Sequence, residues 1–180
     1  NLLYNMKKAI EPKDENYVLL TLHRQGNVDD KNTLQKILSA VNVLAEDIKV
    51  IFPLHPRTKN KIKNFHFYKY LENIKVVPPL GYYDFLGYMK NAKLILTDSG
   101  GIQFETTILN VPCLTLRDNT EVRFTLSEGT NKLVGTEHQN IIYNAVEILT
   151  KRPTTNLSKQ HERLFDGKAA ERIVDILLFS

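Results

Sequence analysis

Short apolar runs alternate with longer stretches of helical periodicity along most of this chain. The runs are continuous rather than alternating, which is typical of strands that are buried on both faces of a parallel sheet. The pattern predicts strands at residues 17–22, 48–54, 74–77, 93–97, 113–116 and 132–134.

The stretches between these runs predict helices. The clearest helix follows Asp29 or Asp30, either of which can cap it, and its apolar residues recur at helical spacing. These apolar residues are Leu34, Ile37, Leu38, Val41 and Leu44. The other predicted helices cover residues 2–10, 58–72, 82–90, 101–109, 138–149 and 169–178, and a polar loop is predicted at residues 23–27.

This order of elements predicts an α/β fold, in which a Rossmann-like parallel sheet carries helices on both faces. No internal repeat or low-complexity tract is evident. We expect one domain over residues 1–150. Residues 151–180 form a tail in this prediction, with a polar connection at 153–158 and a final helix.

The composition is ordinary for a soluble globular protein, with 42% apolar and 24% charged residues. A single cysteine, Cys113, excludes an internal disulfide and fits a reducing compartment. No apolar run reaches membrane-spanning length, and the first residues lack the layout of a signal peptide. The chain does not begin with methionine, so we expect it to start within a larger protein.

The net charge of +4 comes partly from a run of lysines. Such a run could contact nucleic acid, but no regularly spaced stacking aromatics accompany it, so a solvated helix face is the favoured interpretation. We therefore expect neither nucleic acid nor a membrane as a partner. A mildly basic surface would also suit an anionic small molecule. The lysines are Lys59, Lys61, Lys63, Lys69 and Lys75.

The candidate chemistry begins at the end of the strand predicted at 93–97. Asp98 and Ser99 break the apolar run there, two glycines follow, and a helix opens. This arrangement brings backbone N–H groups, a hydroxyl and the positive end of a helix to one point. The segment therefore predicts a phosphate-binding turn, although a plain tight turn would have the same sequence.

Polar residues also follow three other predicted strands. Because the carboxyl ends of parallel strands meet at one edge of the sheet, we expect these residues to gather beside the phosphate-binding turn. Taken singly, each has a structural alternative, such as a histidine at the edge of the core or a turn-stabilising ion pair. The residues are His23, Arg24, His55, Arg57, Ser99, Gly100, Gly101, Arg117 and Glu121.

A nucleoside diphosphate fits these requirements. Its two phosphates need donors and balancing positive charge, and glycines let the backbone approach them closely. Glu105, in the same predicted helix, is placed to accept both ribose hydroxyls, although glutamate is also common on helix surfaces.

Several other kinds of site are excluded because their sequence motifs are absent. The chain has no Gly-x-Gly-x-x-Gly sequence, no Walker A sequence and no nucleophile elbow. The five histidines and the single cysteine lack metal-ligand spacing, so no metal site is predicted.

Seven motifs together resemble the C-terminal half of the non-hydrolysing UDP-N-acetylglucosamine 2-epimerases. They occur in the family's order and cover almost the whole chain, and the Asp98–Glu105 block is the most specific of them. The motifs are Thr-Leu-His-Arg-Gln-x-Asn at 21–27, Phe-Pro-Leu-His-Pro-Arg at 52–57, Pro-Leu-Gly-Tyr-x-x-Phe at 79–85, Leu-Thr-Asp-Ser-Gly-Gly-Ile-Gln-x-Glu at 96–105, Arg-Asp-Asn-Thr-Glu at 117–121, Glu-Gly-Thr-Asn-x-Leu-Val-Gly at 128–135 and Asp-Gly-Lys-Ala-x-Glu-Arg-Ile at 166–173.

The resemblance implies one half of a two-domain architecture of the glycosyltransferase-B (GT-B) type, with a UDP-sugar in the cleft between the halves. It implies interconversion of UDP-GlcNAc and UDP-ManNAc through elimination and re-addition of UDP, with no cofactor and no metal. The expected partners are the UDP-sugar, an N-terminal domain that carries the proton-transfer carboxylates, and a second copy in a homodimer. The expected setting is the cytoplasm, in cell-envelope polysaccharide biosynthesis.

The resemblance also implies roles for individual residues. His23, the candidate catalytic residue, would reach the diphosphate or the sugar, and Phe85 would lie beside the uracil. Arg24 and Gln25 would contact the substrate or a second, regulatory UDP-GlcNAc. The expected UDP-binding set is Ser99, Gly100, Gly101, Glu105, Phe85, His55, Arg57, Arg117 and Glu121.

Three departures from the family pattern leave alternatives open. Gly26 and Phe104 stand where the family usually has glutamate, and residues 122–124 replace its usual Arg-Pro-Glu. A related UDP-sugar epimerase, a GT-B glycosyltransferase and a non-catalytic nucleotide-sugar-binding paralogue are the alternatives. The tail either crosses back to the N-terminal domain or closes this domain as an ordinary helix.

Overall fold

The computed structural model describes residues 2–151 and 166–179. Its strands are β1 (Tyr17–Thr21), β2 (Lys49–Pro53), β3 (Lys75–Val77), β4 (Leu94–Thr97), β5 (Cys113–Thr115) and β6 (Asn131–Leu133). They form one sheet in the order β3-β2-β1-β4-β5-β6, and each neighbouring pair is parallel. The predicted Rossmann-like α/β fold is confirmed, and the strand ends differ from the predictions by no more than one residue.

Nine α-helices lie in the described part of the chain. They are α1 (Leu2–Met6), α2 (Gln25–Val28), α3 (Lys31–Asp47), α4 (Pro56–Phe65), α5 (Tyr82–Asn91), α6 (Gly100–Leu109), α7 (Phe124–Ser127), α8 (His138–Lys151) and α9 (Ala169–Phe179). Of the two candidate caps of α3, Asp30 is the one used, because its side chain accepts a hydrogen bond of 2.7 Å from the Thr33 N–H.

Four local predictions were wrong, and the first is the helix predicted over residues 2–10, which ends at Met6. Helix α2 lies in the predicted polar loop, and α7 was not predicted at all; both are four-residue turns, too short to show a periodicity. The helix expected over 58–72 stops at Phe65, because His66 adopts the left-handed conformation with φ of 57°. A separate 3₁₀ turn, Tyr68–Leu71, follows it.

The core lies on both faces of the sheet, because successive side chains of each strand point to opposite sides. Val18 and Leu20 pack on the face that is covered by α3, α4 and α8. Tyr17 and Leu19 pack on the opposite face, which is covered by α1, α5 and α6. Helices α3 and α6 therefore cover opposite faces of the sheet.

The N-terminal segment is fastened to the amino end of the sheet by a group of charges. The Asp14 carboxylate lies 2.9 Å from the Lys75 ammonium and 3.1 Å from the Lys49 ammonium, and these contacts lower the pKa of Asp14. Lys75, one of the lysines in the basic run, is thus engaged within the domain.

Helix α9 exposes apolar side chains. Ile173, Ile176 and Leu177 are each more than half exposed. The polar connection predicted at 153–158 lies outside the described residues.

Candidate functional site

The candidate site lies where β1 and β4 run side by side in the middle of the sheet. The chain leaves β1 toward α3 on one face and leaves β4 toward α6 on the other. Where neighbouring parallel strands diverge in this way, a crevice opens beyond their carboxyl ends, and ligands of such sheets bind there.

Two threonines join the strand ends at the base of the crevice. The Thr21 and Thr97 hydroxyls are 2.7 Å apart and share a hydrogen bond. The Thr97 hydroxyl also accepts a hydrogen bond of 3.0 Å from the Ser99 N–H. The turn that follows β4 is thus fixed relative to the end of β1.

Asp98 makes a second connection between the same strands. Its fully buried side chain accepts hydrogen bonds from the backbone N–H groups of His23, at 3.1 and 3.2 Å, and of Arg24, at 2.9 Å. The His23 Nδ1 atom lies 3.2 Å from one carboxylate oxygen. The Asn27 amide donates at the limit of hydrogen-bond distance to Asp98 and at 2.9 Å to the Leu116 carbonyl oxygen.

The predicted phosphate-binding turn forms the start of α6. Ser99 is the N-cap, but its side chain makes no capping hydrogen bond, and α6 begins with Gly100 and Gly101. A Cβ atom on Gly100 would meet no heavy atom within 4 Å, so the space beside this backbone is open. The turn thus presents a helix N-terminus to an accessible side, as phosphate binding requires.

A cleft of about 200 Å³ lies on the β1–β2–β3 side of this turn. It brings together His23, His55 and Phe85, three of the predicted site residues, and the two imidazole rings are 5.8 Å apart. The remaining lining residues are Thr21, Leu22, Pro53, Pro79, Leu80 and Ile102. The half-buried ring of Phe85 gives the cleft an apolar wall.

Glu105 lies in the second turn of α6, as the sequence predicted, and its side chain is half-buried. Burial raises the pKa of Glu105, and a hydrogen bond of 3.4 Å from the Tyr82 hydroxyl opposes this rise. Tyr82 belongs to α5, which also carries Phe85, so α5 and α6 together frame one side of the site.

Arg117 and Glu121 follow β5 and pair with each other. The Arg117 side chain is buried, and its guanidinium lies 3.1 Å from the largely exposed Glu121 carboxylate. This contact holds the pKa of Glu121 below its usual range. Arg117 also donates to the Asn119 side chain at 3.4 Å, so its charge is shared within the loop.

Other predicted residues have partners of their own. Arg57 forms an ion pair with Asp29 at the start of α3, and the His55 Nδ1 atom accepts a hydrogen bond of 3.1 Å from the Arg57 N–H as the N-cap of α4. Arg24 and Gln25 lie at the exposed start of α2.

The departures from the family pattern lie in α2, in α6 and at the start of α7. Gly26 is exposed in α2, where a Cβ atom would meet nothing within 4 Å, so the backbone does not require glycine there. The rings of Phe104 and Phe124 contact each other, with centroids 5.4 Å apart. Two residues that the sequence treats as separate departures therefore form one aromatic contact between α6 and α7.

Sequence reasoning missed four residues that hold the site together. Tyr82, Asn27, Gln103 and Thr120 act through contacts between elements that are distant along the chain. The Thr120 hydroxyl, for example, donates to the Gln103 side-chain oxygen at 2.7 Å. The sequence signal for Gln103 was its place in the Asp98–Glu105 motif, but the pattern alone assigned it no contact.

Within residues 2–151 and 166–179, no three His, Cys, Asp or Glu side chains are grouped so that they could hold a metal ion. None of the helices found there combines the length and the apolar character needed to cross a membrane.

Comparison with known proteins gives a consistent result. The sequence model of the family described as UDP-N-acetylglucosamine 2-epimerase matches residues 2–178. The chain is 46% identical over 172 residues to the UDP-N-acetylglucosamine 2-epimerase of Methanocaldococcus jannaschii, covering 92% of this chain and 45% of that protein. It is 33% identical to the UDP-2,3-diacetamido-2,3-dideoxy-D-glucuronate 2-epimerase of Pseudomonas aeruginosa, covering 97% of this chain and 49% of that protein.

Solved structures show the same relationship. The UDP-GlcNAc 2-epimerase of M. jannaschii, in complex with UDP-GlcNAc and UDP, superposes with a TM-score of 0.77 at 40% identity, over 100% of this chain and 49% of that one. The Neisseria meningitidis enzyme bound to UDP-GlcNAc also gives a TM-score of 0.77, at 29% identity, over 99% of this chain and 49% of that one. The chain thus spans about half the length of the relatives it matches.

Proposed function

This chain belongs to the UDP-N-acetylglucosamine 2-epimerase family, and we propose that it forms the UDP-binding half of an enzyme that interconverts UDP-GlcNAc and UDP-ManNAc. In this reaction UDP is eliminated from the sugar and added back to a glycal intermediate. The observation that carries the proposal is the open N-terminus of α6 beside the end of β1, at the divergence point of the sheet.

The proposed UDP orientation follows the layout of the crevice. Ser99, Gly100 and Gly101 hold the diphosphate through the N-terminus of α6. Glu105 accepts hydrogen bonds from the ribose hydroxyls, and Phe85 lies against the uracil. The hydrogen bond between the Tyr82 hydroxyl and Glu105 supports this order, because it joins α5, which carries Phe85, to α6.

His23 is the proposed catalytic residue, at the junction of the diphosphate and the sugar. Its place in the cleft beside His55 supports this role. Arg117 and Glu121 border the diphosphate from the β5 side. His55 and Arg57 complete the proposed UDP-binding set, and Arg24 and Gln25 are the proposed substrate or regulatory contacts.

The complete reaction is assigned to a longer protein. We place the proton-transfer carboxylates in a second Rossmann-like half, so that the two halves form a GT-B architecture with the UDP-sugar between them. In the proposed division, residues 1–150 bind UDP and residues 151–180 lead back to that second half. The long form is proposed to act in the cytoplasm as a homodimer, and residues 1–180 alone are proposed to bind UDP without turnover.

A titration of the ¹⁵N-labelled chain with UDP tests the binding role. We expect the amide signals of Ser99, Gly100 and Gly101 to shift and those of α8 to stay in place. ADP, which shares the diphosphate but not the base, should bind more weakly, because the pocket at Phe85 is assigned to uracil. Absence of any shift at these amides in millimolar UDP would contradict the proposal.

A second candidate is a 2-epimerase for another UDP-2-acetamido sugar. The identity of 33% to the Pseudomonas aeruginosa enzyme, which is named for a diacetamido glucuronate, favours it. Assays of the longer protein with several UDP-sugars, in which the product epimers are separated, distinguish the two. If no sugar is converted while UDP still binds, the non-catalytic paralogue, favoured by Gly26 and the changes at 122–124, is supported instead.

A further inference from the structure

The buried carboxylate of Asp98 is surrounded by hydrogen-bond donors. Its side chain has no exposed surface, and two backbone N–H groups, the Asn27 amide and the His23 ring all approach its oxygens. A carboxylate that is removed from water is stable only where such donors replace the lost hydration. Asp98 therefore remains an acceptor, and the groups around it are held as donors.

This arrangement determines where the His23 ring can carry its proton. The His23 Nδ1 atom lies 3.2 Å from the Asp98 Oδ1 atom. An unprotonated Nδ1 would set its lone pair against a carboxylate oxygen, whereas a protonated Nδ1 is attracted to it. We propose that Asp98 is a positioning residue that keeps a proton on Nδ1 of His23 and leaves Nε2 as the nitrogen available to the cleft.

The backbone contacts make this orientation specific to His23. The carboxylate that approaches the ring also accepts the His23 and Arg24 N–H groups, so the start of the side chain is fixed to the same acceptor. The His55 ring, which also lines the cleft, has its centroid 5.8 Å from that of His23 and is inclined to it by 43°. The Asn27 amide further ties this loop to the Leu116 carbonyl oxygen after β5.

The importance of this positioning rests on the proposed function. If UDP occupies the turn at Ser99, Gly100 and Gly101, the Nε2 atom of His23 is the ring atom that can exchange a hydrogen bond or a proton at the diphosphate or sugar. The proton on Nδ1 would stay on the Asp98 side throughout. A merely structural Asp98 would instead fasten the backbone and leave the ring free to adopt either tautomer.

Nitrogen NMR of the imidazole rings distinguishes these roles. In this chain, labelled with ¹⁵N-histidine and held at a pH where histidine is neutral, the His23 signals can be assigned by their absence in His23→Gln. We expect a protonated Nδ1 and an unprotonated Nε2. An Nε2–H tautomer at His23 in the unsubstituted chain would overturn the proposal whether or not any variant folds.

Asp98→Asn provides the opposing case. The new side chain keeps one oxygen for the backbone N–H groups and turns its NH₂ group toward the His23 Nδ1 atom, which then becomes an acceptor. We expect the His23 ring to change to the Nε2–H tautomer. Asp30→Asn is the matched control, because it makes the same substitution at the cap of α3 and should leave the His23 signals unchanged.

Titration with UDP then separates this inference from the proposed function. We expect Asp98→Asn to weaken UDP binding roughly tenfold, because the His23 ring is no longer held in the orientation that presents Nε2 to the cleft. If the unsubstituted chain has the Nδ1–H tautomer but does not bind UDP, the proposed function fails and the positioning role stands. If UDP binds and the tautomer is the same in the unsubstituted chain and in a folded Asp98→Asn variant, the positioning role fails.

Discussion

The two sides of α6 are built in different ways. On one side, the β1–β4 junction (residues 21–24 and 97–99) buries a carboxylate whose oxygens are met by several donors. On the other side, the β5–α7 loop (residues 116–123) is supported by Gln103, whose Nε2 atom is buried without a hydrogen-bond partner among the described residues. The buried carboxylate at the junction thus has hydrogen-bond donors at both oxygens, whereas the buried Gln103 side chain beside the loop uses only part of its hydrogen-bonding capacity.

The layers beneath these two parts differ as well. Under the junction, β1, β2 and β4 bury aliphatic side chains on both faces of the sheet. Around β5 and β6, a group of polar side chains is buried beside the apolar ones, namely Gln103, Thr106, Thr107, Thr115, Thr125, Thr130 and Asn131. We therefore expect substitutions at the junction to change stability and UDP binding together, and those beside the loop to have small effects.

The largest expected effect is that of Asp98→Ala. The backbone N–H groups of His23 and Arg24 would lose their shared acceptor, and the free energy of unfolding should fall by about 2–4 kcal/mol. Urea denaturation followed by circular dichroism measures this loss. A loss no larger than that of a typical surface substitution would show that the junction does not depend on the carboxylate.

Gly100→Ala, at the first residue of α6 and just beyond the junction, should change UDP binding and stability in opposite directions. The new Cβ meets no atom of the protein, so the chain should gain about 0.5 kcal/mol of stability from the better helix propensity of alanine. The methyl group would occupy the side on which the phosphate approaches, and UDP affinity should fall about tenfold. Isothermal calorimetry and urea denaturation measure the two quantities.

Gly26→Ala is the matched control for this prediction. It also adds a methyl group to open space in a helical turn, but away from the N-terminus of α6. Its UDP affinity should stay within about twofold of that of the unsubstituted chain. Equal losses of affinity in both variants would argue against a diphosphate at Gly100.

Glu105→Gln should reduce UDP affinity less than Gly100→Ala does, and its effect on the stability of the chain should depend on pH. Burial raises the pKa of Glu105, so the folded chain holds this proton more tightly than the unfolded chain, and stability falls as the pH rises through the folded pKa. Glutamine carries no such charge. The variant should therefore be as stable as the unsubstituted chain in acid and more stable at neutral pH, as urea midpoints would show.

The same variant should weaken UDP binding by roughly fivefold, because an amide keeps one of the two acceptors for the ribose hydroxyls. Uridine titrations sharpen the assignment, since a ribose contact should affect uridine and UDP alike. A loss confined to UDP would place Glu105 near the phosphates instead.

The sequence predicted the sheet well because its strands are buried on both faces and their apolar runs are continuous. Sequence-based prediction failed where a helix was too short to show a periodicity, or where a distant contact or a single backbone conformation determined the structure. Helix α2 is a single turn whose N-cap residue, Arg24, donates its N–H to Asp98, 74 residues away. The left-handed conformation of His66, which ends α4, has no signature in the apolar pattern either.

The positions of the candidate site residues were predictable, but their contacts were not. The rule that polar strand ends meet at one edge predicted that His23 and His55 would lie together, and they line one cleft. Phe85, which lines the same cleft, was predicted from the family resemblance. The partners of Asp98 could not be predicted, because two of them are backbone N–H groups, which all residues except proline carry and which leave no mark in the sequence. Nor could the contact between Tyr82 and Glu105, which lie 23 residues apart on different helices.

The smallest expected effect is that of Gln103→Leu, on the loop side of α6. The substitution removes a buried amide nitrogen that has no partner among the described residues, which is favourable, and removes the acceptor of the Thr120 hydroxyl, which is unfavourable. Each change is worth about 1–2 kcal/mol, and Thr120 is exposed enough to bond to water, so the free energy of unfolding should change by less than about 1 kcal/mol.

UDP binding provides the sharper measurement for this variant. The Thr120 hydroxyl also accepts a hydrogen bond of 3.1 Å from the Val122 N–H, so its release should loosen the loop that carries Arg117 and Glu121. A twofold to threefold loss of affinity, roughly, is expected if the loop only borders the diphosphate. A loss as large as that of Gly100→Ala would mean that the loop contributes as much as the junction, and the two sides of α6 would then differ in structure but not in function.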